Sequence, residues 1–140
     1  MRIGIINGPN LNEIGLREPE IYGHQTFEDA MNLWKASFPK VHLSLFQSNH
    51  EGALIDHIQE AKHKCDAFVI NAAAYTHTSI AIADALRSCS IPIIEVHLSN
   101  IFAREPYRHH SFISPIAEAC IVGMGMKGYE MAIRYLLDQS

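Results

Sequence analysis

Short apolar runs alternate with amphipathic stretches along the whole chain. Ile3 to Ile6 is an apolar run of strand length. Thr26 to Phe38 carries Ala30, Leu33, Trp34 and Phe38 at helical spacing. Thr26 and Asp29 form an acidic version of the capping box at its start, and Pro39 ends it. Val41, Leu43 and Leu45 alternate with His42, Ser44 and Phe46, which predicts a second strand. A helix opening at Asn49 or Glu51 is expected to bury Leu54, Ile55, Ile58 and Ala61. Ala67–Ile70 reads as the third strand. The helix from about Thr78 to Ser88 is expected to bury Ile80, Ala81, Ala83, Ala85 and Leu86, leaving Asp84 and Arg87 polar. Ile91–Val96 and Ala119–Val122 read as the fourth and fifth strands. Tyr129–Leu137 reads as the last helix, and Asn100 to Ser114 has no strong period.

Five short apolar strands alternating with helices predict an α/β fold: a parallel sheet with helices on both faces, in three layers. Right-handed crossovers favour the flavodoxin-like strand order 2-1-3-4-5. No repeat, linker or low-complexity tract breaks residues 1–140, so a single domain is expected. Ligands of such sheets bind beyond the carboxyl ends of the strands, at the switch point between strands 1 and 3. Polar clusters stand there: NGPNLN after strand 1, Asn71-Ala-Ala-Ala-Tyr-Thr-His-Thr-Ser after strand 3, and Glu95-Val-His97-Leu-Ser-Asn at the end of strand 4. The ends of strands 2 and 5 are plainer, although Ser48-Asn49-His50-Glu51 is polar. The connection from Asn7 to Gly23 is long for a compact domain and is expected to act as a lid or binding loop. It carries Asn10, Asn12, Arg17 and Tyr22.

Composition narrows the classes of partner. The chain has 140 residues, 48% apolar and 19% charged, which suits a soluble globular protein. The net charge of -4 comes without any Lys/Arg block, which argues against nucleic acid and anionic membranes. No apolar stretch approaches spanning length, and the first apolar run is too short for a signal peptide. Cys65, Cys89 and Cys120 form no CxxC and read as free thiols in a reducing compartment, so a cytoplasmic protein is expected. Neither GxxxxGK[ST] nor GxGxxG is present, so a nucleotide or flavin cofactor is not indicated. His97, His109 and His110 match no metal-ligand spacing, and a GxSxG elbow is missing. The expectation is no cofactor and no metal.

Acid–base chemistry on a small polar substrate remains. Arg17 and Tyr22 lie five apart in one loop. A guanidinium favours the phenolate, and lowering a phenol from about 10 to about 8 takes roughly 3 kcal/mol. Tyr22 is then a candidate general base; a packed tyrosine beside a solvated arginine is the plainer alternative. Glu95 and His97 are two apart in a strand, so they share a face. The carboxylate can orient the imidazole and keep it protonated, which makes His97 a candidate general acid; a histidine satisfied by backbone hydrogen bonds is the plainer alternative. Asn71 suits hydroxyl recognition at a strand end. Thr76-His77-Thr78-Ser79 stands where a helix starts, suited to an anion or simply to capping. Arg104 and Arg108 can clamp a carboxylate or serve as surface charges.

NGPNLNEIGLREPEIYG, QSNHEGALIDHI, AYTHTSIAIADAL and EVHLSNIFAREPYRHHSFISP closely resemble the type II 3-dehydroquinate dehydratases, in the same order and over essentially the whole chain. The resemblance implies a lyase of the shikimate pathway or of quinate breakdown. It would convert 3-dehydroquinate to 3-dehydroshikimate by anti elimination through an enolate, without a cofactor. Tyr22 matches the family's proton acceptor and Arg17 the residue that lowers its pKa. His97 matches the proton donor to the leaving hydroxyl, Asn10 a residue holding a water at the enolate, and Glu95 an active-site carboxylate. Asn71, His77, Leu98, Ser99 and Arg108 match substrate-contacting positions. Asp84 matches one supplied by a neighbouring subunit, because members are dodecamers built as a tetramer of trimers. A Schiff base on lysine is not expected, because none of Lys35, Lys40, Lys62, Lys64 and Lys127 falls in these motifs or at the central strand ends. The reading from a different class is a flavodoxin-like binding module for a small carboxylate, without turnover. Two departures stand out. Ala72-Ala73 replaces the family's Pro-Gly or Ala-Gly, which restricts the backbone if φ is positive there. Glu13 replaces an apolar residue and sets a negative charge at the expected site entrance.

Overall fold

The three central strands are short and buried because both of their faces are covered. The computed structural model describes residues 1–16, 20 and 24–140. Its strands are β1 (Arg2–Asn7), β2 (His42–Gln47), β3 (Ala67–Asn71), β4 (Ile93–His97) and β5 (Ala119–Val122). They form one sheet of order β2-β1-β3-β4-β5, parallel at every pairing. This is the flavodoxin-like arrangement that the alternation of runs predicts. The principal helices are α1 (Phe27–Ser37), α2 (Glu51–Ala61), α3 (Ile80–Arg87) and α4 (Lys127–Asp138).

Side chains alternate between two cores, as the period of a strand demands. Ile3, Ile5, Val69, Ile94 and Val96 pack on one side with Phe27, Ala30 and Trp34 of α1 and with Tyr129, Ala132 and Ile133 of α4. Ile6, Phe68, Ile70 and Ile93 pack on the other side with Leu54 and Ile58 of α2 and with Ile82 and Leu86 of α3. Trp34 stacks on Tyr129 with ring centroids 5.4 Å apart, and Phe27 meets Tyr129 edge-on at 5.3 Å. Such aromatic pairs add about 0.5–1.5 kcal/mol beyond the area they bury. Among the described residues no helix is long and apolar enough to cross a membrane.

Two helix faces differ from the expectation. Leu33 is exposed, and the buried stripe of α1 is Phe27, Ala30, Met31 and Trp34. Those four share one face at 3.6 residues per turn, and Leu33 falls to its side. In α3 the exposed residues include Ile80 and Ala81, whereas Ile82 is fully buried. The helix begins only at Ile80, capped by Ser79, whose side chain accepts the Ile82 amide hydrogen bond. Ala73–His77 forms a separate 3-10 turn before it. The helical phase is therefore set by Ile82, Ala83, Ala85 and Leu86, and Ile80 lies on the far side.

The register fixes what meets at the carboxyl end of the sheet. Asn7 of β1 stands beside Gln47 of β2 and Asn71 of β3, a row of three amide side chains at the strand ends. Glu95 of β4 stands beside Cys120 of β5, and His97 beside Val122.

Candidate active site

A cleft of about 270 Å³ opens beyond the ends of β1, β3 and β4, at the expected switch point. Asn10, Asn71, His77, His97, Leu98, Ser99 and Arg108 all line it. Glu95 lies beneath His97. Asp84 lies elsewhere, on the exposed side of α3, where its carboxylate meets Arg87 at 2.8 Å. Arg17 and Tyr22 lie outside the described residues.

Glu95 and His97 follow Ile93 on one face of β4, so the alternation that buries Ile93 also aims both at the sheet end. Glu95 has no exposed surface, and His97 retains 4%. Glu95 Oε1 is 2.7 Å from His97 Nε2 and accepts a hydrogen bond from Ser111 Oγ at 2.8 Å. Ser114 Oγ donates to Glu95 Oε2. Burial alone pushes the Glu95 carboxyl up. The bonds from His97 and Ser114, the imidazole charge and the Ser111 hydroxyl outweigh burial and hold it below its ordinary value. Glu95 is therefore an ionised carboxylate inside the core, committed to one nitrogen of His97. The other nitrogen, Nδ1, is left for chemistry.

His77 is built differently. Its Nδ1 stands 2.7 Å from the His110 carbonyl oxygen. A carbonyl only accepts, so Nδ1 carries the hydrogen and Nε2 of the neutral ring is an acceptor. Burial pushes the His77 imidazole down despite that bond, and the neighbouring His97 adds to the effect. The two rings lie nearly parallel, with centroids 6.1 Å apart. The cleft thus sets a neutral acceptor beside an imidazole held by a carboxylate.

Two backbone positions at the cleft are left-handed without being glycine: Asn10 at φ 68 and Ala73 at φ 51. Asparagine tolerates this region, but a residue with a plain Cβ loses about 1–2 kcal/mol there. Ala73 is the second of the two alanines at which the sequence departs from the resemblance, and its φ is positive. Its amide is held by Asn71 Oδ1 at 3.1 Å, which also fixes the Asn71 side chain. Gly8 has no such latitude for a side chain, because a Cβ would collide with the Ala72 carbonyl. That contact draws the ends of β1 and β3 together, with the Gly8 amide donating to the Asn71 carbonyl at 2.7 Å.

Charge around the cleft is mixed. Arg104 and Arg108 both line it. Arg108 Nε is 2.8 Å from Glu105 Oε2, and a bond from its own backbone amide together with Arg108 lowers the Glu105 carboxyl to about 2. Glu13 also lines the cleft, so the negative charge expected at the entrance is there.

Several contributors escaped the sequence reading. Ser111 and Ser114 sit in a stretch without periodicity, and only the fold turns them onto Glu95. Gln47 and Asn49 belong to the plainer end of β2, yet they reach the Asn10 turn. Cys120 meets Glu95 only through strand register. One donor atom each from Glu95, His97 and Cys120 lies within 4.8 Å of the others, the set best placed for a metal among the described residues. His97 Nε2 and Glu95 Oε1 are already bonded to each other, and burial pushes the Cys120 thiol up to about 11, with the Glu95 charge adding to it.

Comparison with known proteins adds to this geometry. Residues 1–137 match the family model of dehydroquinase class II. The chain is 59% identical over 134 residues to the catabolic 3-dehydroquinase of Talaromyces marneffei, covering 94% of this chain and 76% of that protein. It is 51% identical over 137 residues to the 3-dehydroquinate dehydratase of Bacillus subtilis, covering 96% and 93% of the two. The crystal structure of type II dehydroquinase from Butyrivibrio crossotus superposes with a TM-score of 0.92 at 50% identity, covering 97% of each chain.

Proposed function

The chain belongs to the class II dehydroquinase family, and on that footing we propose that it dehydrates 3-dehydroquinate to 3-dehydroshikimate through an enolate. The observation that carries the chemistry is the buried Glu95–His97 pair opening on the cleft. Tyr22, with its phenolate favoured by Arg17, removes a proton from C2 beside the ketone. The electron pair moves onto the ketone oxygen as an enolate, and a water held by Asn10 shares that charge. When the enolate collapses, the bond from C1 to its hydroxyl breaks by anti elimination. His97 gives that oxygen its proton, so water leaves and a conjugated enone remains. Glu95 keeps the imidazole oriented and compensates its positive charge. Asn71, neutral His77, Leu98, Ser99 and Arg108 hold the substrate's oxygens and carboxylate. Free Cys65, Cys89 and Cys120 support a cytoplasmic setting.

The test is to mix protein with 3-dehydroquinate and follow conjugated-enone absorbance. Turnover is expected, and binding without absorbance change would favour the small-carboxylate module instead. Tyr22→Phe should lose activity by orders of magnitude while staying folded and binding substrate, because the hydroxyl acts chiefly in the transition state. A Phe variant with near-normal turnover would remove Tyr22 from the role of base. Among the described residues no lysine lines the cleft, which favours the enolate over a Schiff base. Borohydride added with substrate should leave activity and protein mass unchanged.

A further inference from the structure

We propose that Asn49 and Gln47, at the end of β2, are positioning residues that hold Asn10 in its catalytic pose. The proposal rests on the enolate reading given above, in which Asn10 holds a water at the developing charge. No contact with substrate is assigned to either residue.

Asn10 is hard to hold by its own turn. Its backbone is left-handed at φ 68 and ψ -6, and its side chain makes no capping bond to the 3-10 turn that follows. The fixing comes from 39 residues away, where the Asn10 amide donates to Asn49 Oδ1 at 2.9 Å. Gln47 Nε2 has two hydrogens, which it donates to the same Asn49 oxygen at 3.1 Å and to the Gly8 carbonyl at 3.1 Å, with Asn12 Oδ1 a longer contact at 3.4 Å. One amide nitrogen thus touches both sides of Asn10 in the chain and also its anchor. With Oδ1 of Asn49 accepting two donors, the orientation of that side chain is set.

The anchor is itself tied to the sheet. The Ser48 amide donates to the Asn7 carbonyl at 3.1 Å, and the Tyr75 hydroxyl donates to the Asn49 carbonyl at 2.9 Å. Residues after β1, β2 and β3 therefore close one bracket around the Asn10 turn. Left-handed geometry persists at a functional position only when its surroundings over-determine it. Catalytic groups also need support from a second layer of fixed polar contacts to keep their geometry. The QSN stretch at the end of β2 supplies that support from outside the residues that line the cleft.

The tests separate positioning from general stability. Asn49→Ala removes the acceptor and is expected to lower kcat about tenfold to a hundredfold, with KM changed less than threefold, as for a catalytic group displaced by a fraction of an ångström to an ångström. Asn49→Asp keeps an acceptor for both donors and should restore most of kcat. In a cycle with Asn10→Ala, the double variant should be no slower than Asn10→Ala alone, because Asn49 acts through Asn10. Gln47→Leu gives a second route to the same cycle should Asn49→Ala fail to fold, judged by circular dichroism. Full kcat in a folded Asn49→Ala protein would overturn the proposal. So would an equal loss in both Asn10 backgrounds, which marks a purely structural role. An inactive wild type would instead remove the enolate reading, and this proposal with it.

Discussion

A carboxylate taken out of water holds its proton more tightly, and burial alone pushes Glu95 that way. Three donors reverse that outcome, so Glu95 binds its proton less tightly in the folded chain than in the unfolded one. The sign of the pH dependence follows. The stability this group contributes is complete above the unfolded carboxyl value of about 4.3 and is lost as pH falls through the lower folded value. Urea midpoints measured from about pH 6 down to about pH 3 should fall for the wild type, and Glu95→Gln should flatten that limb. An identical acid limb in the variant would show that other carboxylates govern it. Ala73 gives the opposite experiment. Its left-handed φ of 51 is strained for alanine, so Ala73→Gly should stabilise the fold by about 1 kcal/mol in chemical denaturation. A destabilised glycine variant would mean that chain entropy outweighs the relief of strain. The Glu95–His97 pair was legible in the sequence because a strand has period two. Their serine partners were not, because a loop has no period and its contacts are decided by tertiary folding.

Helix ends show how local chemistry was read well while phase was not. Ser79 is 2% exposed and its hydroxyl accepts the Ile82 amide at 2.9 Å. Replacing it with alanine leaves a buried amide without its partner, and Ser79→Ala should cost about 1 kcal/mol. The loss should appear as a lower denaturation midpoint with an unchanged slope. A midpoint equal to wild type would mean that the α3 terminus finds another acceptor. The Thr26 and Asp29 capping box is present as its sequence signature predicts. The start of α3 could not be fixed in the same way, since Thr76, Thr78 and Ser79 are all competent caps. The choice of Ser79 depends on the 3-10 turn after β3, which the left-handed Ala73 opens. Ile80 and Ala81 stand in the first turn, off the face formed by Ile82, Ala83, Ala85 and Leu86, and both are exposed.

Strand order followed from the alternation of elements and the handedness of crossovers, but register did not, and register sets Cys120 against Glu95. The exposed position of Asp84, outside the described cleft, also becomes informative at this scale. If assembly carries Asp84 into a neighbour's site, Asp84→Ala should lower turnover, and dilution to monomers should lower it further. A fully active monomer in sedimentation and assay would refute that arrangement. The aromatic stack between α1 and α4 has an optical consequence. Trp34 is the chain's single tryptophan, 4% exposed and 5.4 Å from the Tyr129 ring, whose hydroxyl donates to Asn7 Oδ1 at the end of β1. Indole emission therefore reports one place, a dry pocket under the strand that leads into the cleft. Burial pushes the Tyr129 phenol far up, so this neighbour does not become a quenching phenolate while the fold persists. The fluorescence should stay blue and steady through mildly alkaline solution, then shift red in a single step when α1 parts from the sheet.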